Sequence, residues 1–234
     1  MTAPLEGIAA ITLDLDDTLW PVRPPLVAAE KVLAMWLATH APATAQGTPP
    51  AAMLALRAEV AAAHPHWSHD LSAIRLETIR RALRLHGDDP ALAEEAFEVF
   101  FEARHAVTLY DDVLPALERL AARHRLVAVS NGNAELHRVG LGHLFAGGSV
   151  SARLHGVAKP DPSIFRAACA AAHAAPHQVL HLGDDLVADV DGALAAGLHA
   201  GWICRPDGAH ASEPARAGAH RFANLLEVAQ ALGA

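Results

Sequence analysis

Hydrophobic and polar positions along the chain change rhythm twice. Residues 8–15 place apolar side chains at Ile8, Ile11, Leu13 and Leu15 with short residues between, a strand pattern. The strand runs into Asp14, Asp16, Asp17 and Thr18, and then into Trp20-Pro21-Val22-Arg23-Pro24-Pro25, where proline interrupts regular structure. From 26 to 104 the spacing is helical. Val27, Val32, Leu33, Trp36 and Leu37 mark a helix over 26–40, a Pro/Thr/Gly break follows at 42–50, and further helices are predicted over 51–63, 71–86 and 91–104. Gly87-Asp88-Asp89-Pro90 supplies a stop, a cap and a first-turn proline between the last two. No strand is expected in this stretch.

After about residue 107 strands and helices alternate: helix 113–123, strand 125–130, helix 134–141, a short strand near 149–152, helix 162–173, strand 179–182, helix 185–196, strand 198–204 and a last helix near 224–232. Such alternation predicts a parallel sheet with helices on both faces. The first strand belongs to that sheet, so the expected architecture is an α/β core, 1–20 with 107–234, interrupted by a helical insertion over 21–106.

Composition narrows the possibilities. With 52% hydrophobic residues the chain is not disordered, and no apolar run approaches the roughly 20 residues needed to cross a bilayer. A net charge of −8 argues against a sequence-independent grip on nucleic acid. The stretch MTAPLEGIAAITLDLDD lacks a basic leader pattern, and Cys169 and Cys204 lack metal-ligand spacing; two reduced cysteines in a cytoplasmic protein are expected. Lysine is almost absent. Lys31 and Lys159 are the two in the chain, every other basic side chain apart from histidine being arginine, so a lysine retained at 159 suggests a role for a compact cation.

In open α/β sheets ligands bind beyond the carboxyl ends of the strands. Four clusters lie there. Asp14 and Asp16 fall on the same side of the first strand's end, with Thr18 two residues on; two carboxylates that close need a cation or a shared proton. Ser130-Asn131-Gly132-Asn133 closes the second strand and is expected to open a helix, so its hydroxyl and backbone N–H groups resemble an anion cradle as much as an ordinary cap. Lys159-Pro160 precedes a helix. Gly183-Asp184-Asp185, with Asp189 and Asp191 behind, follows the fourth strand and offers carboxylates suited to a hard cation, or simply to a helix N-terminus.

In this order, the four clusters resemble the haloacid dehalogenase-like hydrolases, over nearly the whole chain. The resemblance implies a Rossmann-like core, a helical cap inserted after the first motif, and Mg²⁺-dependent hydrolysis of small-molecule phosphate monoesters by a monomer or homodimer. It is nearest to a bacterial group that dephosphorylates FMN and 5-amino-6-(5-phosphoribitylamino)uracil, on Thr12–Leu19, Ser130–Ala134, His155-Gly156 before Lys159, Gly183–Leu186, and Trp67-Ser68-His69-Asp70-Leu71 with Arg75. One departure is Ala188, where many members carry asparagine.

By that resemblance Asp14 is the nucleophile and Asp16 the general acid and base. Ser130 and Lys159 complete the catalytic set, while Thr18, Asn131, His69 and Arg75 join the substrate and phosphate contacts. The metal falls to Asp14, Asp16 (through its backbone carbonyl) and Asp184, with Asp185 or Asp189 in support. Dehalogenases of the superfamily lack the second acid, because a halide leaves without a proton; Asp16 therefore points to phosphate esters. A sugar phosphomutase would share these residues. A phospho-accepting receiver domain is shorter and carries its aspartate on a middle strand.

Overall fold

The computed structural model describes residues 5–205, 213–214 and 216–234; residues 1–4, on which the reading of the N-terminus partly rests, lie outside them. Strand β1, Ala10–Leu13, is buried along its whole length. The chain then enters five helices, α1 (Arg23–His40), α2 (Pro42–Gly47), α3 (Pro50–Ala63), α4 (Leu71–His86) and α5 (Ala93–Arg104). Helix α6 (Val113–Ala121) leads to β2 (Arg125–Ser130), β3 (Ser149–Ser151), α7 (Ala152–His155), α8 (Pro162–Ala172) and β4 (Val179–Gly183). Then follow α9 (Gly192–Ala195), β5 (His199–Ile203), β6 (Ala219–Phe222) and α10 (Leu225–Ala231).

All six strands are parallel, in the order β3-β2-β1-β4-β5-β6. Central position explains why β1 is buried at every residue, Thr12 included: it is covered on both faces and flanked by strands on both edges. Alternate residues Ala10, Val127, Val129 and Val179 pack against Ile164, Phe165, Ala168 and Cys169 of α8. The opposite pleat, with Ile11, Leu126 and Leu180, faces the side on which α6 and α10 pack together. Register then dictates where chemistry collects. Leu13 pairs with Ala128 of β2 and Leu182 of β4, so Asp14, Ser130 and Gly183-Asp184 emerge at one edge of the sheet.

The chain divides into two compact units, residues 1–21 with 108–234, and residues 22–107. The second is helical and has its own core. Ala29, Leu33 and Leu37, one helical stripe four residues apart, meet Met53, Leu56, Ile79, Leu83, Ala96 and Phe100. Helix α4 begins where the Asp70 carboxylate accepts the Ala73 N–H at 2.9 Å and ends at Gly87, whose φ of +77° suits a residue without a side chain. Within the α/β unit, the Tyr110 N–H donates to the Leu19 carbonyl at 3.1 Å, joining the two places where the chain leaves and re-enters the sheet layer.

Several elements differ from expectation. The 42–50 break contains α2, because proline is tolerated in a first helical turn. Residues 134–141 form turns instead of a helix: Gly140 adopts φ +80° and the Leu141 N–H reaches back to Leu136, closing the winding after little more than one turn. The expected 185–196 helix starts as a wide coil over Leu186–Asp191, with the Val190 N–H bonded to the Asp185 carbonyl five residues back. Strand β6, only four residues long, and the single-turn α7 have no counterpart in the hydrophobic pattern.

Candidate active site

Asp14 leaves β1 with its N–H on the Leu182 carbonyl at 2.8 Å. The next residues wind once, Leu19 N–H to Leu15 carbonyl, and Asp17 takes a left-handed φ of +59° to let the chain turn back. That turn aims three side chains. Asp14 is buried; Thr18, also buried, sets its hydroxyl 3.0 Å from Asp184 Oδ1 and 3.4 Å from Asp14 Oδ2; Asp16, half-buried, accepts the indole N–H of the fully buried Trp20 at 2.8 Å.

Lys159 lies opposite. Its Nζ donates to Asp14 Oδ1 at 2.5 Å and to Asp189 Oδ1 at 2.6 Å, with 2% of the side chain exposed. Asn131 sets its backbone: the Lys159 N–H donates to Asn131 Oδ1 at 2.7 Å, and Asn131 Nδ2 donates to the Lys159 carbonyl at 3.0 Å. The Asn131 side chain thus ties the end of β2 to the lysine peptide. Ser130, buried at the end of β2, accepts the Gly132 N–H at 2.9 Å on its hydroxyl oxygen. With no helix after it, the expected helix-start cradle reduces to that hydroxyl and the turn.

The acids after β4 separate into three roles. Asp184 joins Asp14 through Thr18. Asp185 is exposed, and its Oδ1 accepts the N–H groups of Val187 and Ala188 at 2.8 and 2.7 Å, so it caps the following coil and stands apart from the carboxylate group. Asp189 is buried; its Oδ1 takes Lys159 and the His181 ring at 3.1 Å, and its Oδ2 takes the Asp185 N–H at 3.1 Å. Gly183 permits this approach, since a Cβ there would lie 2.2 Å from Asp189 Cγ.

Four neighbours escaped the sequence reading in this role. His181, buried on β4, stands between Thr12 (2.9 Å) and Asp189. Burial pushes its pKa down, so the neutral ring donates from Nε2 to the carboxylate while Nδ1 accepts the Thr12 hydroxyl. Trp20, noted only as a flanking residue, holds Asp16. Trp202 on β5 donates its indole N–H to the Asp184 carbonyl at 2.9 Å, and Arg205 donates to the Thr18 carbonyl at 2.9 Å. None of these lies within the four motifs; Trp20 is only four residues from Asp16, whereas the His181–Thr12 and Arg205–Thr18 contacts span 169 and 187 residues.

Charge is unevenly matched here. Burial drives Asp14 well above the usual carboxylate range, with Lys159 opposing and Asp189 and Asp184 reinforcing. Burial likewise raises Asp184 to about 7, with Asp189 adding to it. Burial also works against ionised Asp189, but Lys159 and His181 outweigh it and hold that carboxylate below the ordinary range. For Lys159 burial is again opposed, by Asp14 and Asp189, and its ammonium is held above its ordinary value. Oxygens of Asp14, Asp184 and Asp189 lie within 4.8 Å of one another. An all-carboxylate set with more negative charge than one lysine balances fits a hard divalent cation. Asp189 already accepts three donors, which leaves Asp14 and Asp184 as the carboxylates suited to hold it.

In the helical unit, Arg75 is buried, pairs with Glu30 at 2.7 Å and stacks its guanidinium 3.5 Å from the Phe100 ring centroid. His69 is half-buried, two residues after Trp67, whose ring stacks on that of His64 at 4.0 Å. Among the described residues, no helix is long and apolar enough to cross a membrane.

Fold and donor set together define an α/β protein with a buried cluster of carboxylates and one lysine at its strand ends. Its family follows from comparison: the model for haloacid dehalogenase-like hydrolases matches residues 8–197, and the chain belongs to that family. It is 33% identical over 208 residues to the 5-amino-6-(5-phospho-D-ribitylamino)uracil phosphatase YigB of Escherichia coli, covering 87% of this chain and 86% of that one. Over 162 residues, 65% of each chain, it is 35% identical to a phosphoserine phosphatase of Thermus thermophilus. A solved 2-haloacid dehalogenase from Pseudomonas syringae superposes with a TM-score of 0.88 at 35% identity, covering 97% of this chain and 98% of the other.

Proposed function

We propose that this chain is a magnesium-dependent phosphatase of small-molecule phosphate monoesters that works through an aspartyl phosphate on Asp14. The observation that carries the reading is the pairing of Asp14, against Lys159 at 2.5 Å, with a second acid two residues on. Asp14 attacks phosphorus, an Asp14–phosphorus bond forming as the ester oxygen leaves with the proton that Asp16 supplies. Asp16 then takes a proton from the water that attacks the phosphoaspartate, releasing phosphate and restoring the Asp14 carboxylate. Lys159 and the Ser130 hydroxyl hold phosphoryl oxygens. Asp14, Asp184 and the Asp16 carbonyl would hold magnesium, which would supply positive charge against the phosphate. Thr18 keeps the two carboxylates apart, and Asp189 with His181 keeps Lys159 in place.

Asp16 also weighs against dehalogenation, since an alkoxide needs a proton on leaving and a halide does not. We read the helical unit as the cap that selects the leaving group. FMN or a riboflavin-pathway phosphate is the substrate suggested by the relative from Escherichia coli. His69 and Trp67 are its candidate contacts; Arg75, already shared between Glu30 and Phe100, shapes the wall of a cavity of about 410 Å³ instead. The two free, buried cysteines agree with a cytoplasmic setting.

A panel of FMN, ribitylaminouracil phosphate, sugar phosphates, phosphoserine and a 2-haloacid, each with and without Mg²⁺, tests the reading. Metal-dependent release of phosphate that Asp14→Asn abolishes, with the fold intact, is the expected result. Halide release, or wild-type turnover in Asp14→Asn, refutes it; activity on sugar phosphates with none on FMN refutes the flavin assignment alone. A sugar phosphate isomerised without net hydrolysis identifies a phosphomutase.

A further inference from the structure

The turn that carries Asp14, Asp16 and Thr18 is gripped from a part of the sheet outside the four motifs. Arg205, two residues past β5, directs one guanidinium nitrogen to Asp112 Oδ1 at 2.7 Å. Its other terminal nitrogen reaches both Asp112 Oδ2 at 3.3 Å and the Thr18 carbonyl at 2.9 Å. The guanidinium plane lies 3.7 Å from the Tyr110 ring centroid, which fixes its tilt. Asp112 is itself fastened, accepting the Leu225 N–H at the start of α10 at 2.8 Å. All of this is partly buried, with 13% of the Arg205 side chain and 14% of the Asp112 side chain exposed. The same strand grips the partner carboxylate's loop, where Trp202 donates to the Asp184 carbonyl.

A chain of contacts therefore runs from α10 through Asp112 and Arg205 to the Thr18 backbone, and from the Thr18 hydroxyl to Asp14 and Asp184. We propose that Arg205, locked by Asp112, is a positioning residue that sets the spacing of Asp14 and Asp184 by holding the Thr18 backbone, and so sets the protein's affinity for its divalent cation. Two separate guanidinium nitrogens reach these three acceptors from fixed directions, an arrangement that the arginine fork holds and that the single nitrogen of a lysine ammonium does not reproduce. The inference rests on the metal-dependent reading above, but it concerns only the carboxylates.

The test uses the full chain with Arg205→Lys and Asp112→Asn. Mn²⁺ binding is measured by calorimetry without substrate, and kcat and KM by p-nitrophenyl phosphate hydrolysis with Mg²⁺. In Arg205→Lys the Mn²⁺ Kd is expected to rise about ten-fold or more, with kcat falling by a similar factor and KM little changed. Asp112→Asn moves both in the same direction by less, and Trp202→Phe raises the Kd through the other loop. A folded Arg205→Lys protein whose Mn²⁺ Kd and kcat stay within about two-fold of wild type overturns the proposal. So does a variant that only melts earlier while its folded fraction binds Mn²⁺ normally, the mark of a purely structural role. If Arg205→Lys does not fold, Asp112→Asn decides by the same two readouts. A wild-type chain that binds Mn²⁺ but hydrolyses no phosphate ester refutes the phosphatase reading, while the Kd shift still judges Arg205. Absence of Mn²⁺ binding in the wild type overturns both.

Discussion

In the absence of any bound cation, the α/β unit should be destabilised by its own Asp184. Burial moves this carboxyl from its ordinary 3.8 to about 7. Between those pH values the folded chain keeps a proton that the unfolded chain has released, so stability falls as pH rises and levels off above 7. At about 1.4 kcal/mol per pH unit, the displacement corresponds to about 4 kcal/mol. Asp14, also raised, acts in the same direction. Asp189 is depressed instead, so its contribution is complete above the ordinary carboxylate value and is lost only in stronger acid. Lys159, raised, contributes fully throughout this window and loses its effect only at alkaline pH. Asp184→Asn removes the charge yet keeps an oxygen to accept from Thr18.

Urea unfolding in EDTA from pH 5 to 8 reads the effect. Substituting Trp36 and Trp67 by phenylalanine leaves Trp20 and Trp202, both buried in the α/β unit, as the fluorescent reporters. The parent protein should lose stability from pH 5 to about 7 and level off above it, while Asp184→Asn shows a shallower slope and is the more stable at pH 8, by as much as about 4 kcal/mol. Added Mg²⁺ should restore the parent at pH 8 and do much less for the variant. A flat parent profile in EDTA, or an Asp184→Asn protein less stable than the parent at pH 8, refutes the reasoning.

Two further substitutions probe the packing behind the site. Gly183→Ala brings a Cβ to 2.2 Å from Asp189 Cγ and must push that carboxylate off Lys159; thermal denaturation should show a loss of about 1–3 kcal/mol, and kcat should fall. Asn131→Ala removes both bonds to the Lys159 peptide and should cost about 1–3 kcal/mol in urea denaturation, with a reduced kcat on the same ester substrates. A stable, fully active protein in either case contradicts the packing described.

Much of the sheet was legible because its signals are local. Alternating apolar runs bounded by turns marked β1, β2, β4 and β5, and period two alone put Asp14 and Asp16 together at a strand end. Lys159 was conspicuous because arginine is otherwise the habitual basic residue. The misses share a different physics. His181 looks like one apolar-strand histidine among the chain's 16, and only the folding of β4 beside β1 places it between Thr12 and Asp189. Arg205 has partners 93 and 187 residues away, a relation no local pattern encodes. The bonds of the Asn131 side chain to the Lys159 peptide were not legible, because an amide's use depends on which peptide the fold brings against it. Residues 134–141 carried a helical spacing too short to outweigh Gly140, and the acids after Gly183 were indistinguishable until burial separated exposed Asp185 from buried Asp189.

The hydrogen bond between Leu19 and Tyr110 bears on how such a protein can diversify. Everything between those residues starts and finishes at one point on the sheet layer, so the layer keeps its own boundary closed whatever is threaded between. Closure entropy grows slowly, by about 0.6 kcal/mol for each doubling of the intervening length. Helical segments of quite different size can therefore be grafted between Leu19 and Tyr110 with little penalty to the sheet. The carboxylates and Lys159 stay put while the inserted segment is exchanged, so the helical unit can be replaced in a single recombination without rebuilding the sheet edge.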